Sequence, residues 1–243
     1  MRDIDLMKIK KDGYGRNRES VDYWLNNRKK LSDLYKSEIH FFGFIKLCDS
    51  VLDIGCAAGG SALFTREAKT DINYVGIDVS RELVQAAATN FSKLPNTKFL
   101  HFDGLNIPLQ DHSIDFVFSF GVFHHLNYWQ DILSEALRVS SKYVLFDLRL
   151  WPQDSIVGDM SSYQKLALGG SWDGESILPY NIISLNEFGV LVRNMNQLKI
   201  SCKAFGYYQK PTHLAITPAT EVLMLSVLLE KGVDCPSFEL VTV

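Results

Sequence analysis

Residues 51–61, VLDIGCAAGGS, restrict the fold more than any other stretch of this 243-residue chain. Ser50 to Ile54 reads as a buried strand, and the small residues of GCAAGG then turn the backbone into a helix that carries Leu63, Phe64 and Ala68. Glycine at 55 and 59 opens dihedral angles closed to other residues and lets a ligand approach the main chain. Strand, glycine-rich turn and helix in that order open a parallel, doubly wound sheet, and such sheets take ligands beyond the carboxyl ends of their strands.

The same unit recurs downstream. Asn73 to Ile77 (NYVGI) is a second strand with Asp78 at its end, and Ser80 is placed to cap a helix that buries Leu83, Ala87 and Phe91. Lys98 to Phe102 is a third strand ending at Asp103, and Ile114 to Phe120 (IDFVFSF) a fourth. Tyr128 to Val139 sets Trp129, Ile132, Leu133, Ala136 and Leu137 on one helical face, and Tyr143 to Leu148 is the fifth strand. Runs this apolar suit a sheet covered on both faces, wound by right-handed crossovers. Ser184 and Glu187 predict a capping box for a helix burying Phe188, Leu191, Val192 and Met195. Leu198 to Phe205 and Glu221 to Leu229 are the last two strands; their connection holds two prolines and no helix, which predicts antiparallel pairing. The expected fold is α/β: a Rossmann-like, doubly wound, seven-stranded sheet with an antiparallel last strand.

This pattern divides a single 243-residue domain into four parts. Residues 1–47 form an N-terminal helical cap, helical from Asp22 to Lys46, and 48–150 the cofactor-binding core. Residues 151–183 form a substrate-side insertion with four glycines and two prolines, and 184–243 the C-terminal helix and antiparallel strand pair. A hydrophobic share of 47% supplies a sizeable core. The net charge of −3 leaves no electrostatic footprint for a polyanion, and Arg16, Arg18, Arg28, Lys29 and Lys30 read as a solvated helix face. Cys48, Cys56, Cys202 and Cys235 form no CxxC pair, which argues against a zinc site or a disulfide framework. The N-terminus lacks the apolar core of a signal peptide, and no apolar run approaches a membrane span. A cytoplasmic protein with a small-molecule partner, rather than nucleic acid or membrane, is expected.

Asp53, two residues before Gly55, selects among ligands. A dinucleotide would set its pyrophosphate against this turn, where a carboxylate repels it; S-adenosylmethionine has no phosphate and carries cationic ammonium and sulfonium groups. Asp78 is placed to accept from ribose hydroxyls, as an acid does in NAD enzymes too, and so does not discriminate. Asp103 can accept from an adenine amino group, with Gly104 giving access. Asp53, Gly55 and Gly59 in VLDIGCAAGG, Asp78 in VGIDVS, Asp103–Gly104, and FSFGVFHHL after the fourth strand resemble the successive motifs of class I S-adenosylmethionine-dependent methyltransferases. The resemblance is strong over Ser50 to Leu148 and looser beyond. It implies S-adenosyl-L-methionine as cofactor and S-adenosyl-L-homocysteine as product, held by Asp53, Gly55, Cys56, Gly59, Asp78, Val79, Asp103, Gly104, Ser119 and Phe120. Ala57 departs from the pattern, since many members have glycine there. It leaves G-x-A-x-x-G through Gly55, Ala57 and Gly60, close to a dinucleotide fingerprint.

Methyl transfer is an in-line displacement, so alignment of the nucleophile dominates and a base helps only where the nucleophile carries a proton. His124 and His125 follow the fourth strand, where the family's substrate lies, and are the candidate bases, His125 ahead; the alternative is that they stabilise the turn. Ser119, Phe120 and Gly121 match neither the DPPY-type motif of amino-directed nucleic-acid enzymes nor a magnesium-binding carboxylate set, so no metal is expected. Tyr14, Tyr23, Trp24, Trp151, Tyr163, Trp172 and Tyr180 are candidates to line the acceptor site, and Arg28 or Arg149 to meet an anion. The favoured function is methylation of a small molecule at oxygen before nitrogen. The rivals are an NAD-linked Rossmann oxidoreductase and a non-catalytic S-adenosylmethionine-binding protein.

Overall fold

The computed structural model describes residues 18–167, 172 and 174–243. Tyr14 and Arg16 lie outside them. Where one long N-terminal helix was expected, two short ones stand, α1 (Arg18–Asn26) and α2 (Lys36–Phe42). Asp33 accepts the main-chain N–H groups of Lys29 and Lys30, both at 2.9 Å, and Arg28 adopts a left-handed φ of 53°, so the chain reverses between them. Only α1 overhangs the cavity described below. Helix α2 is a layer of the fold, with Phe42 buried edge-on against Phe64, Phe116 and Phe118.

Five parallel strands follow: β1 (Ser50–Ile54), β2 (Asn73–Asp78), β3 (Thr97–His101), β4 (Ile114–Ser119) and β5 (Ser140–Trp151). Between them lie α3 (Ser61–Ala68), α4 (Arg81–Asn90) and α5 (Trp129–Val139). Ser80 caps α4 by accepting from the Leu83 amide at 3.2 Å. In the insertion, β6 (Tyr163–Lys165) and β7 (Ile177–Pro179) pair antiparallel, and β8 (Ile183–Ser184) returns to β5. Helix α6 (Leu185–Gln197) starts at Ser184, whose Oγ accepts from the Glu187 amide at 3.0 Å. The other half of the expected box is replaced, because the Ser184 amide donates to Ser155 Oγ and Ser155 in turn donates to Glu187.

Strands β9 (Ile200–Gln209) and β11 (Val222–Lys231) pair antiparallel, and β11 also runs antiparallel to β5, as the helix-free connection requires. That connection contributes β10 (Ala215–Ile216), which joins β6 and β7 in a separate three-stranded sheet. The main sheet runs β12-β9-β11-β5-β4-β1-β2-β3, with β8 beside β5, and so has nine strands among the described residues rather than seven. Its last strand in sequence, β12 (Phe238–Thr242), is parallel to β9 at the edge; all five of its residues are exposed, so no burial period announces it. Alternating residues supply the two core faces: Leu52, Ile54, Val117, Phe146 and Leu148 towards α5 and α6, and Val51, Phe116, Phe118 and Leu145 towards α2 and α3.

Strand order reverses between β1 and β4, and the glycine turn stands at that reversal. Gly55 and Gly59 have φ of 83° and 85°, and Ala57 is left-handed at 47°. A Cβ on Gly55 would lie 2.4 Å from Val122 Cγ2, and one on Gly59 would lie 2.8 Å from the Phe99 ring and 2.9 Å from Ala87 Cβ. Both glycines are therefore required by the packing of the protein on itself. Gly60 admits the N-terminal segment, since its Cβ would sit 2.8 Å from the Asn27 carbonyl oxygen. Relief of the left-handed alanine predicts that Ala57→Gly gains about 0.5 to 1 kcal/mol in urea unfolding. Gly59→Ala combines strain with overpacking and loses about 2 to 4 kcal/mol. Equal shifts for the two variants would contradict this turn geometry.

Candidate active site

The turn is fastened to the end of β2. Gly55 and Cys56 donate their amides to the Ile77 carbonyl at 2.8 and 3.0 Å, and Ala57 donates to Asp78 Oδ2 at 2.9 Å. Asp78 Oδ1 accepts from the Ser80 amide at 2.9 Å. Burial raises the Asp78 pKa, against the opposing pull of these amides.

Asp53 is 3% exposed at the end of β1, and its Oδ2 accepts from Tyr74 Oη at 2.8 Å and from Ser61 Oγ. Burial raises its pKa to about 6, while the two hydroxyls favour the ionised form. Tyr74 and Ser61 are missing from the sequence-based site. Ser61 closes the glycine motif, and Tyr74 lies opposite Val51 in the β1–β2 register, so only the pairing reveals that they share a carboxylate. Asp103 is turned to local use: it accepts from the Leu105 and Asn106 amides and from Asn106 Nδ2 at 2.7–2.8 Å, which hold its pKa down to about 2.

These residues border a cavity of about 640 Å³, within the range of small-molecule sites. Asp53, Gly55, Cys56, Asp78, Val79, Asp103, Gly104 and Phe120 are on its lining. Gly59 and Ser119 stand behind the wall: Gly59 packs on Phe99 and Ala87, and Ser119 Oγ donates to the Ile54 carbonyl at 2.9 Å, tying β4 to β1. Cys56 is buried, and burial raises its thiol pKa well above the ordinary value, so it presents no thiolate.

The adjacent histidines divide. His125 lines the cavity, with Nδ1 2.6 Å from the Pro179 carbonyl oxygen. A carbonyl only accepts, so Nδ1 carries the proton and Nε2 is the basic nitrogen. Burial lowers the His125 pKa to about 4. His124 points away from the lining, buried, with Nδ1 3.8 Å from Asp147 Oδ2 and its main-chain oxygen accepting from the Asn181 amide at 2.7 Å. Burial holds it neutral.

Of the aromatic candidates among the described residues only Trp24 reaches the lining. The Trp151 and Trp172 indoles donate to the Asp154 and Ser176 carbonyls, Tyr163 belongs to β6, and Tyr180 packs into a buried cluster with Ile182 and Met224. Tyr23 meets Trp24 edge-on. The insertion instead offers Leu178 and Pro179 to the cavity. Arg28 lines it too, bonded to Glu38 at 2.5 Å and lying 5.8 Å from the Phe120 ring centroid, whereas Arg149 is off the lining, paired with Asp147.

The donor set fits a cationic, phosphate-free cofactor. The turn amides of Gly55, Cys56, Ala57 and Gly59 are all donated within the protein, so they form no anion nest, and two buried carboxylates stand beside them. Asp53 and Asp78 instead suit a cation and sugar hydroxyls.

Residues 52–144 match a family model described as a methyltransferase domain. A phthiotriol/phenolphthiotriol dimycocerosates methyltransferase of Mycobacterium ulcerans is 29% identical over 102 residues, 41% of this chain and 37% of its own. A malonyl-[acyl-carrier protein] O-methyltransferase of a Marinomonas species is 32% identical over 100 residues, 40% of this chain and 37% of its own. The matched segment thus spans little more than a third of these curated relatives. An S-adenosylmethionine-dependent methyltransferase of known structure from Aquifex aeolicus superposes with a TM-score of 0.53 at 21% identity, covering 88% of this chain and 99% of its own, and shares the fold. Among the described residues no helix is long and apolar enough to cross a membrane. Residues 52–144 are thus a methyltransferase domain set in a Rossmann-like mixed sheet, and S-adenosylmethionine is the cofactor that this family implies.

Proposed function

We propose that this protein transfers a methyl group from S-adenosylmethionine to an oxygen atom of a small, largely apolar acceptor. The observation that carries the reading is His125, whose Nδ1–H donates to the Pro179 carbonyl, which makes Nε2 the basic nitrogen of a cavity-lining ring. The cofactor supplies a methyl group on a cationic sulfur. Asp53, ionised above about pH 6, attracts the cofactor's ammonium group. Asp78 keeps acceptor capacity beside its bonds to main-chain amides and takes the ribose hydroxyls. Val79 and Gly104 border the space for the base, and Arg28, the one lysine or arginine on the described lining, meets the cofactor's carboxylate.

His125 Nε2 takes the proton of an acceptor hydroxyl as its oxygen becomes the nucleophile. A nitrogen acceptor needs this help less once it is neutral, which favours oxygen. Leu126, Leu178, Pro179 and Trp24 give the rest of the wall an apolar character that suits a hydrocarbon-rich acceptor. Of the two curated relatives named above, one is an O-methyltransferase and the other a phthiotriol/phenolphthiotriol dimycocerosates methyltransferase by name.

Incubation with labelled S-adenosylmethionine and a panel of phenols, alcohols, carboxylic acids and amines tests the reading. Label is expected on oxygen, and His125→Ala is expected to slow transfer to hydroxyls by about 10²- to 10⁴-fold with cofactor affinity unchanged. Transfer to amines alone, or an unimpaired His125→Ala, would refute it. The cofactor site has its own signature. Because Asp53 must be ionised to attract a cation and titrates near 6, affinity should fall about tenfold per pH unit below 6, and Asp53→Asn should bind weakly with a flat profile. A pH-independent affinity in the parent protein would remove Asp53 from cofactor binding.

A further inference from the structure

Asp147 is a buried acid to which the reaction above gives no role. It stands on β5, and the register pairs Ser119 with Phe146, so residue 147 lies alongside the point where the chain leaves β4. Its side chain is 3% exposed. Oδ1 accepts from the Gly121 amide at 2.6 Å, and Oδ2 accepts from Arg149 Nη1 at 2.5 Å. Placing an ionised pair in the interior is costly unless every group is satisfied, and apolar residues of similar size pack there more cheaply. What this carboxylate gains is a grip on a single main-chain amide.

That amide sits at the origin of the catalytic turn. Gly121 has a left-handed φ of 74° and lies between Phe120 and Val122, both on the lining. Val122 then opens the turn to His125, whose amide donates back to the Val122 carbonyl at 2.8 Å. From the far side the insertion holds the same turn, through the Pro179 carbonyl on His125 Nδ1 and the Asn181 amide on the His124 carbonyl. Arg149, itself 6% exposed, neutralises Asp147 without reaching the cavity.

We propose that Asp147 is a positioning residue: its carboxylate fixes the Gly121 amide and so sets the turn that presents His125 Nε2 to the acceptor. This rests on the reading of His125 as the base. The sheet supplies one jaw of the clamp and the insertion the other, so the base is held from two sides, one of them the acceptor side.

Two double variants isolate the hydrogen bond from the charge. Asp147→Asn with Arg149→Met keeps an acceptor for Gly121 and strands no cation; Asp147→Leu with Arg149→Met removes the acceptor as well. The leucine pair is expected to lose about 10- to 100-fold in kcat, the cost of misplacing a reacting group by about an ångström, with cofactor Kd within about twofold. The asparagine pair is expected to retain kcat within about threefold. Equal kcat for the two pairs, or a cofactor affinity that falls in step with kcat, would overturn the proposal. Amide NMR of the unmodified protein gives a readout independent of turnover and of the leucine pair's folding. A carboxylate-bonded Gly121 amide proton should resonate downfield of the protein's other glycine amides and move upfield in the asparagine pair. A Gly121 amide at an ordinary position would overturn the clamp by itself. Failure of the unmodified protein to methylate any acceptor refutes the reaction and with it the catalytic part of the proposal, whereas the amide shift still decides whether Asp147 holds the turn.

Discussion

Three main-chain amides of the glycine turn close onto the end of β2, two on the Ile77 carbonyl and one on the Asp78 carboxylate, and the cavity is built around that junction. Closing the turn this way uses the donors that would otherwise cradle a phosphate. It also brings the two strand-end carboxylates together at the mouth of β1 and β2. Each is buried, and burial pushes both towards the neutral form, so the hydroxyls of Tyr74 and Ser61 and the amides of Ala57 and Ser80 are needed to keep a negative charge available. A cation is thus favoured electrostatically at this mouth, and the glycines let α4, β3 and the turn after β4 pack close enough to shape the wall.

The central strands were legible because each is a short apolar run ending in a chemically distinctive residue. Asp53 and Asp78 could be placed from strand ends alone, and the antiparallel pairing of β9 and β11 from the lack of a helix between them. The N-terminal break was hidden, because Asp33 ends the helical run by taking amides three and four residues back, a contact no periodicity records. Strands β6, β7, β8 and β10 have two or three residues each, too few to show a period of two, and β12 has no buried face at all.

The candidate site was partly legible for a similar reason. Residues on the turns after β1, β2 and β4 follow from the motif, and eight of the ten named for the cofactor border the cavity. Gly59 and Ser119 stand one layer back because their neighbours, not the ligand, need the space or the hydrogen bond. The tryptophans of the insertion misled, since their indole N–H groups satisfy the insertion's own main chain, and Tyr180 packs into a buried cluster, while Leu178 and Pro179 face inward. Asp147 was invisible within YVLFDLRLW, where an acid between apolar residues reads as an outward-facing position; only the β4–β5 register sets it beside Gly121.

Two ion pairs stand near the site, the partly buried Arg28–Glu38 within the N-terminal segment and the buried Asp147–Arg149 on β5. Asp53 and Asp78 supply the negative field at the cavity, and Arg28 beside them favours the ionised form of Asp53. Calorimetric titration of the protein at pH 7.5 with S-adenosylmethionine, S-adenosylhomocysteine and NAD tests that central claim most directly. Heat of binding with both sulfur compounds and none with NAD is predicted. Binding of NAD with neither sulfur compound would contradict the account.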